Sequence, residues 1–334
     1  MGPSSPQTAV NLPQPRFFQT LPTADSADAR AELASSLLRR PAAVAPKFFY
    51  DHLGSALFVA ITELHEYYPT RTEAAIFAAH EGAIAAAVTA RLGPRCTLVD
   101  LGAGDGAKAA RLFAPLQPAR YVAVDISVDF LREALRSLQL RFPAIEMVGV
   151  GLDFSTRLAL PAGVLDGHPA LLFYPGSSIG NFGPDAALQL LRQARELVAG
   201  GAVLIGVDLV KPAPVLEAAY DDALGVTAAF NRNLLRHVNR LLGSDFDVAD
   251  WRHVACFDAA ASRIEMHLEA RRDVGVHWPD GERRFDAGER IHTENSYKWT
   301  CAGFEALLHD AGFRGVQTWT DEQEWFAVML AAAS

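Results

Sequence analysis

The run Val99-Asp100-Leu101-Gly102-Ala103-Gly104-Asp105-Gly106 joins an apolar stretch to a helical one through three glycines. Glycine at such a junction lets the backbone turn tightly and lets a ligand approach with no Cβ in the way. The spacing is GxGxG; Ala107 stands where a dinucleotide GxGxxG carries its last glycine. That departure favours an adenosyl group bearing a cationic sulfonium over a pyrophosphate. Asp125 ends the next apolar stretch, 23 residues after Gly102. An acidic side chain there can accept hydrogen bonds from both ribose hydroxyls, or it can cap the helix that follows. Asp153-Phe154 ends a third stretch. It offers a carboxylate for an adenine amine and a ring to pack on the base. Lys108 opens the helix after the glycines, where a cation opposes the helix dipole. It either bonds the carboxylate of the cofactor's amino-acid part or stands in solvent.

For these residues to share one ligand, their strand ends must meet at one edge of a sheet. The surrounding pattern provides this. The segments TLVDL (97–101), YVAVD (121–125), IEMVGVGLDF (145–154), ALLFY (170–174) and AVLIGVDL (202–209) are short apolar runs. Helical stretches alternate with them: Lys108 to Leu116, Val128 to Arg141 and Pro184 to Ala199. Such alternation implies a parallel sheet covered on both faces. Right-handed crossovers make it a doubly wound, Rossmann-like α/β core, with ligands at the carboxyl ends of its strands. Upstream, Asp25 to Arg40 reads as an amphipathic helix stopped by Pro41, and Thr72 to about Arg91 as an Ala-rich helix ended by Gly93-Pro94.

After Asp208 the rhythm breaks. Residues 212–250 read as helical, RIEMHLEARR (263–272) as strand, and an irregular stretch reaches Lys298. Helix CAGFEALLHDAG (301–312) and strand EWFAVMLA (324–331) then close the chain. About ninety residues are thus inserted before the final helix and strand. Residues 17–71 and 209–298 are expected to form a second, α+β substrate-binding domain in two segments. Residues 72–208 and 299–334 would form the core, and residues 1–16, rich in Pro, Ser and Gln, a mobile tail.

Composition narrows the function classes. The chain has 334 residues, half of them hydrophobic, which suffices for one large core or two ordinary ones. Its net charge of −9 and lack of a basic stretch argue against nucleic-acid binding, which relies on neutralising phosphates. Cys96, Cys256 and Cys301 lie far apart with no CxxC, and the histidines show no HxxxH or HExxH spacing. Neither a disulfide framework nor a metal site is expected. No apolar run of transmembrane length and no secretory signal are read, so a cytoplasmic enzyme with no membrane partner is expected, acting as a monomer on a small molecule.

Several longer segments are distinctive together: Phe49-Tyr50-Asp51 with Gly54-Ser55 and Leu57-Phe58; Glu66-Tyr67-Tyr68-Pro69-Thr70-Arg71-Thr72-Glu73; Pro175-Gly176-Ser177-Ser178-Ile179-Gly180-Asn181-Phe182; and Asp208-Leu209-Val210-Lys211. They continue through Ala219-Tyr220-Asp221-Asp222, Gly225 to Asn231, Arg263-Ile264-Glu265-Met266 and Thr293-Glu294-Asn295-Ser296-Tyr297-Lys298. In these segments, from about Lys47 to Leu330, the chain resembles the histidine N-alpha-methyltransferase family of ergothioneine biosynthesis. The resemblance implies a Rossmann-like core dependent on S-adenosylmethionine (SAM), with a substrate domain in two pieces. It implies transfer of three methyl groups to the alpha-amine of L-histidine, giving hercynine. By position, Asn181 and Tyr220 would bind the substrate carboxylate, with Thr227 in support. Glu294 and Ser296 would hold the imidazole, with Met266 beside it. Tyr50 and Phe58 would surround the amine. Gly102, Lys108, Asp125, Asp153 and Phe154 would hold the cofactor, with Tyr67 nearby. His65 departs from the family's usual proline, Ser178 from a common threonine, and Asp105-Gly106 from its usual glycine-loop residues.

These residue types suit that chemistry. The amine must be neutral to attack a sulfonium methyl, so a proton must leave first; Tyr50 and water are candidates to accept or relay it. Aromatic faces can hold a trimethylammonium product at roughly 0.5–2 kcal/mol each. A carboxylate at Glu294 suits an imidazole N–H, and an apolar substrate would leave it unpaired at a cost on the order of 1–3 kcal/mol. Other readings are an N-methyltransferase acting on another amino acid such as a tryptophan derivative, a non-catalytic SAM-binding protein, and, more remotely, an NAD-dependent oxidoreductase.

Overall fold

The computed structural model describes residues 14–20, 27–165 and 167–333. Most of the N-terminal tail read over residues 1–16, and the first two residues of the helix read from Asp25, lie outside them.

In chain order the elements are β1 (Arg16–Gln19), α1 (Ala27–Leu38), β2 (Ala42–Ala43), α2 (His52–Thr62), α3 (Tyr68–Leu92), β3 (Thr97–Leu101), α4 (Ala107–Ala110), α5 (Phe113–Leu116), β4 (Arg120–Asp125) and α6 (Val128–Arg141). Then come β5 (Glu146–Gly151), β6 (Ala170–Tyr174), α7 (Pro184–Leu197), β7 (Ala202–Asp208), α8 (Ala213–Tyr220) and α9 (Val226–Leu242). The chain finishes with β8 (Trp251–Asp258), β9 (Arg263–Ala270), β10 (Val274–Trp278), β11 (Gly281–Phe285), β12 (Arg290–Tyr297), α10 (Cys301–Asp310), β13 (Phe313–Thr320) and β14 (Phe326–Ala333).

Eight strands form the large sheet in the order β1-β5-β4-β3-β6-β7-β14-β13. The strands from β1 to β7 in that order run parallel; β14 is antiparallel to β7 and to β13. Alternate residues feed opposite faces. Val99, Val122, Val124, Val203 and Ile205 meet α7 and α10 on one side. Leu98, Tyr121, Ala123 and Leu204 meet α3, α5 and α6 on the other. This double cover explains why the strands read as near-continuous apolar runs. Strand order reverses between β3 and β6, which opens a crevice at their carboxyl ends.

The second sheet has the order β2-β12-β9-β8, and β10 with β11 forms a separate hairpin. Helices α1, α2, α8 and α9 share one core with both, including Leu33, Ile61, Leu216, Leu234, Trp251 and Met266. The N-terminal segment and the long insertion are therefore one packing unit.

Several details differ from the sequence reading. The helix read over residues 212–250 is two helices, α8 and α9, ending at Leu242, and the stretch read as irregular up to Lys298 holds β10, β11 and β12. Arg16–Gln19, placed with the tail and the substrate domain, pair parallel with β5 as an edge strand of the large sheet. Helix α3 begins at Tyr68, four residues early, because Pro69 sits in its first turn, where a missing N–H is no loss. The helix read over Lys108 to Leu116 is two short turns, since Pro115 cannot donate back to the preceding turn. Finally, α3 has the length and hydropathy of a membrane span, with 25 residues and mean hydropathy 1.2 in its most apolar window. Ile76, Ile84 and Val88 of that helix lie in the core against the large sheet.

Candidate active site

The glycine turn after β3 is left-handed at three positions, with φ of +70° at Gly102, +55° at Gly104 and +70° at Gly106. L side chains rarely adopt such values, which is why the turn is glycine-rich. Open space lies above Gly102 and Gly104, whereas a Cβ on Gly106 would strike Leu138 at 2.6 Å. The first two glycines thus leave room for a ligand and the third serves packing. Asp105 is exposed and accepts from the Ala107 amide at 2.9 Å, so this departure from the family pattern caps a turn. Asp125, at the end of β4, accepts from the Gly104 amide at 2.9 Å and the Ser127 amide at 2.8 Å. It holds the glycine turn as well as ending the strand, and its further lone pairs can take ribose hydroxyls. Burial raises its pKa.

Asp153 follows β5 and accepts from the Ser155 amide and hydroxyl and from Lys47 at 3.1 Å. Lys47 lies just before α2 and also pairs with Glu32 of α1 at 2.8 Å. Phe154 sits edge-on to Tyr174, 5.8 Å between centroids. Lys108 is neither free nor fully solvated: its ammonium is 2.7 Å from Glu73, a residue only 2% exposed. The other oxygen of Glu73 accepts from the Gly176 amide at 2.7 Å. Glu73 therefore ties the helix after the glycine turn to the loop that carries Asn181. Open space over two left-handed glycines, a strand-end carboxylate and a neighbouring carboxylate–phenyl pair fit SAM.

Next to these strand ends lies a cleft of about 50 Å³. It is lined by Tyr50, Phe58, Tyr67, Asn181, Tyr220, Thr227, Met266, Glu294 and Ser296, which brings every proposed substrate residue together. Each arrives by a local device. Asp51 caps α2 through the Gly54 amide at 2.7 Å and takes Asn233 of α9 at 2.8 Å. A Cβ on Gly54 would lie 1.8 Å from the Phe49 carbonyl, so only glycine lets α2 start here and present Phe58. Gly176 and Ser177 are left-handed, and the Ser177 hydroxyl accepts from the Asp208 amide at 2.8 Å. That loop leads into a 3-10 turn, Ser178–Asn181. Its Gly180 lies against Tyr297, whose carbonyl a Cβ would meet at 2.9 Å. Asp222 caps α9 by accepting from the Val226 and Thr227 amides, which places Thr227 at the cleft wall. A register shift between His292 and Glu294 in β12 re-aims Glu294 into the cleft.

The walls are aromatic. Tyr50 and Phe58 are edge-to-face at 5.8 Å, Phe58 and Tyr67 at 6.3 Å, and Tyr67 and Tyr220 at 6.2 Å. Phe230 completes the cage at 6.0 Å from both Tyr50 and Phe58. Sequence reasoning passed over Phe230, although it lies inside the distinctive Gly225–Asn231 segment. His65 is exposed in the turn before α3, so its departure from the family pattern stays away from the cleft. Ser178 lines the cleft.

Electrostatics refine the assignments. Burial raises the Tyr50 hydroxyl well above its ordinary value, with Glu294 adding to the effect. Tyr50 stays a neutral phenol at neutral pH: it can relay a proton through its hydroxyl but is no anionic base. Burial also pushes the Glu294 carboxyl up to about 7, against the pull of Lys298 and a hydrogen bond from Asn181. Beneath the cleft runs a buried charge network. Asp208 accepts from Tyr68 at 2.7 Å, Lys211 at 2.5 Å and Lys298 at 2.7 Å. Lys298 also reaches Ser296 at 2.7 Å and Tyr220 at 3.1 Å. Away from the cleft, sheet pairing gathers Cys256, Glu265 and His267 within 4.8 Å, which spacing alone did not foresee. Glu265 is already engaged by Arg263 and His267, so this cluster is a salt-bridged patch of sheet.

A core wound in this order with its glycine turn open to a ligand is that of a SAM-dependent methyltransferase. Within that class the chain belongs to the histidine-specific, SAM-dependent methyltransferase family, which it matches over residues 29–333. It is 40% identical to the histidine N-alpha-methyltransferase of Mycobacterium tuberculosis, across 91% of this chain and 94% of that one. With the histidine N-alpha-methyltransferase of Mycolicibacterium smegmatis it shares 41% identity, across 90% and 94% of the two chains. The N-methyltransferase fsqC of Aspergillus fumigatus is 30% identical, across 82% of this chain and 75% of that protein.

Proposed function

We propose that this enzyme transfers three methyl groups from SAM to the alpha-amine of L-histidine, yielding hercynine on the way to ergothioneine. The observation that carries the reading is Glu294 with Ser296 at one end of an aromatic-walled cleft beside the glycine turn. The two relatives named histidine N-alpha-methyltransferases support it. Bound SAM supplies the electrophilic methyl. Gly102 and Gly104 leave its path clear, Asp125 takes the ribose, Asp153 and Phe154 take the adenine, and Lys108, fixed by Glu73, stands beside the amino-acid part.

On the substrate side, Glu294 and Ser296 take the two sides of the imidazole, and Met266 packs beside it. Tyr220 donates its hydroxyl to the carboxylate and Asn181 its amide, with Thr227 in support. The Asn181–Glu294 hydrogen bond links the two ends of the substrate site. Tyr50, Phe58, Tyr67 and Phe230 then surround the amine. Their faces tolerate an amine that loses a donor with each round and ends as a permanent cation. Positioning and electrostatics do the rest, because an in-line displacement needs alignment more than covalent help from the protein. The proton leaves the amine through water and the Tyr50 hydroxyl.

Purified protein with SAM and L-histidine, with L-tryptophan in parallel, tests this by mass spectrometry. A gain of three methyl groups on histidine alone is expected. Gain on tryptophan instead would overturn the role of Glu294. SAM binding with no gain on either would make the chain a non-catalytic SAM binder.

A further inference from the structure

Lys298 is not among the residues that line the cleft, yet it bonds two that do, Tyr220 and Ser296. It is 3% exposed, and its ammonium has three N–H groups and three side-chain acceptors: Asp208 at 2.7 Å, Ser296 at 2.7 Å and Tyr220 at 3.1 Å. Every proton of the ammonium is therefore used. Each hydroxyl gives one lone pair to a cation and must send its own proton elsewhere. The two hydroxyls are 2.7 Å apart, so one proton lies between them. The other has only the cleft to point into, and both residues line the cleft.

Asp208, which also lines the cleft, supplies one negative charge and Lys211 and Lys298 two positive ones, with Asp321 acting on Lys211 and Glu294 on Lys298. Asp208 is fully engaged by Tyr68, Lys211 and Lys298. Glu294 faces the cleft at the imidazole end, with its carboxyl held up to about 7. Buried charge is strongly unfavourable without partners, so a buried ammonium beneath a cleft favours acceptors and anions above it.

We propose that Lys298 is a positioning residue that makes the cleft select for an alpha-carboxylate. It occupies lone pairs of Tyr220 and Ser296, so that a hydroxyl proton is aimed into the cleft for the substrate carboxylate, and its charge strengthens that donor. This rests on the reading of L-histidine as substrate. It goes beyond that reading by assigning carboxylate selection to a residue that acts through the Tyr220 and Ser296 hydroxyls.

The test replaces Lys298 with methionine, which keeps the length and removes the charge. Parent and Lys298→Met are compared on L-histidine and on L-histidinamide, whose head group is neutral, with SAM affinity measured alongside. The parent is expected to prefer L-histidine. The variant should lose about 10- to 100-fold of that preference, mostly through KM for L-histidine, the range a charge-assisted hydrogen bond is worth. SAM affinity should hold. A purely structural role would slow both substrates alike and leave the ratio unchanged, which overturns the proposal. If the variant does not fold, binding to the parent decides: 3-(imidazol-4-yl)propionate should bind at least about 10-fold tighter than histamine, and equal binding overturns it. Histidine turnover with an unchanged preference in Lys298→Met sinks this inference alone; no histidine turnover by the parent sinks the substrate reading and the inference with it.

Discussion

Two aspartates end up buried at core strands beneath the two halves of the site, and the fold treats them oppositely. Asp100, in β3 under the glycine turn, has one oxygen on the Tyr121 hydroxyl at 2.8 Å and the other without a hydrogen-bond partner. Burial pushes its carboxyl up to about 7. Asp208, at the end of β7 under the cleft, is just as buried, but its carboxyl is held below the ordinary range. Burial would raise it too; Lys298 and Lys211 outweigh that. The lesson is that burial alone does not set charge. A carboxylate stays ionised in the interior when distant segments deliver cations to it, and drifts towards neutrality when its donors are phenols.

The delivery is made where the chain passes between the large sheet and the elements packed around the second one. Tyr68 opens α3, Asp208 ends β7 and Lys298 follows β12, and one hydrogen-bonded network ties all three passages. The cofactor half instead hangs on neighbouring strands and their turns. It follows that the two halves should fail in different ways.

The largest expected effect is on stability. Asp208→Asn leaves two lysines buried with no carboxylate between them, and should cost about 3–5 kcal/mol in urea denaturation at pH 7. A loss below about 1 kcal/mol would mean that the network is not the charge centre described. Next comes a crossed pair. Glu294→Ala should lower kcat/KM for histidine about 10- to 100-fold with SAM affinity unchanged, and Asp125→Ala should weaken SAM binding by a similar factor. If either variant damages both halves equally, the division between them is wrong. The smallest effect is pH-dependent. Because the folded pKa of Asp100 lies near 7 and its ordinary value is 3.8, the folded state holds the proton more tightly. That contribution to stability is fully present below the ordinary value and is lost as pH rises through 7. Asp100→Asn should therefore flatten the decline of parent stability between pH 5 and 8 and gain on the parent at pH 8. Parallel curves for the two proteins would show that Asp100 does not titrate in this range.

Much of the site was legible in the residues. The glycine turn, Asp125 and Asp153 announce themselves through position at strand ends, since backbone geometry there is decided locally. Glu294, Asn181 and Tyr220 were found through the segments that contain them rather than through any pattern of their own. Phe230 was missed because an aromatic on the buried face of an amphipathic helix looks like core. Glu73 and Lys298 were quoted within segments but given no role. Their partners are remote: Glu73 meets Gly176 across 103 residues, and Lys298 meets Asp208 across 90. Lys108 was left between two readings, and its pairing with Glu73 could not be foreseen from either.

The amino-acid sequence by itself determined the α/β class, the glycine turn and the family. Those follow from periodicity, glycine placement and residue order, which act over a few residues at a time. Only the tertiary structure decided how burial and partners bias each polar group, which lone pairs of Tyr220 and Ser296 are taken, and that Arg16–Gln19 extends the large sheet. Charge state depends on burial and on cations from other segments, and hydrogen-bond direction depends on which lone pairs are already taken. Neither quantity exists until the chain has brought those segments together.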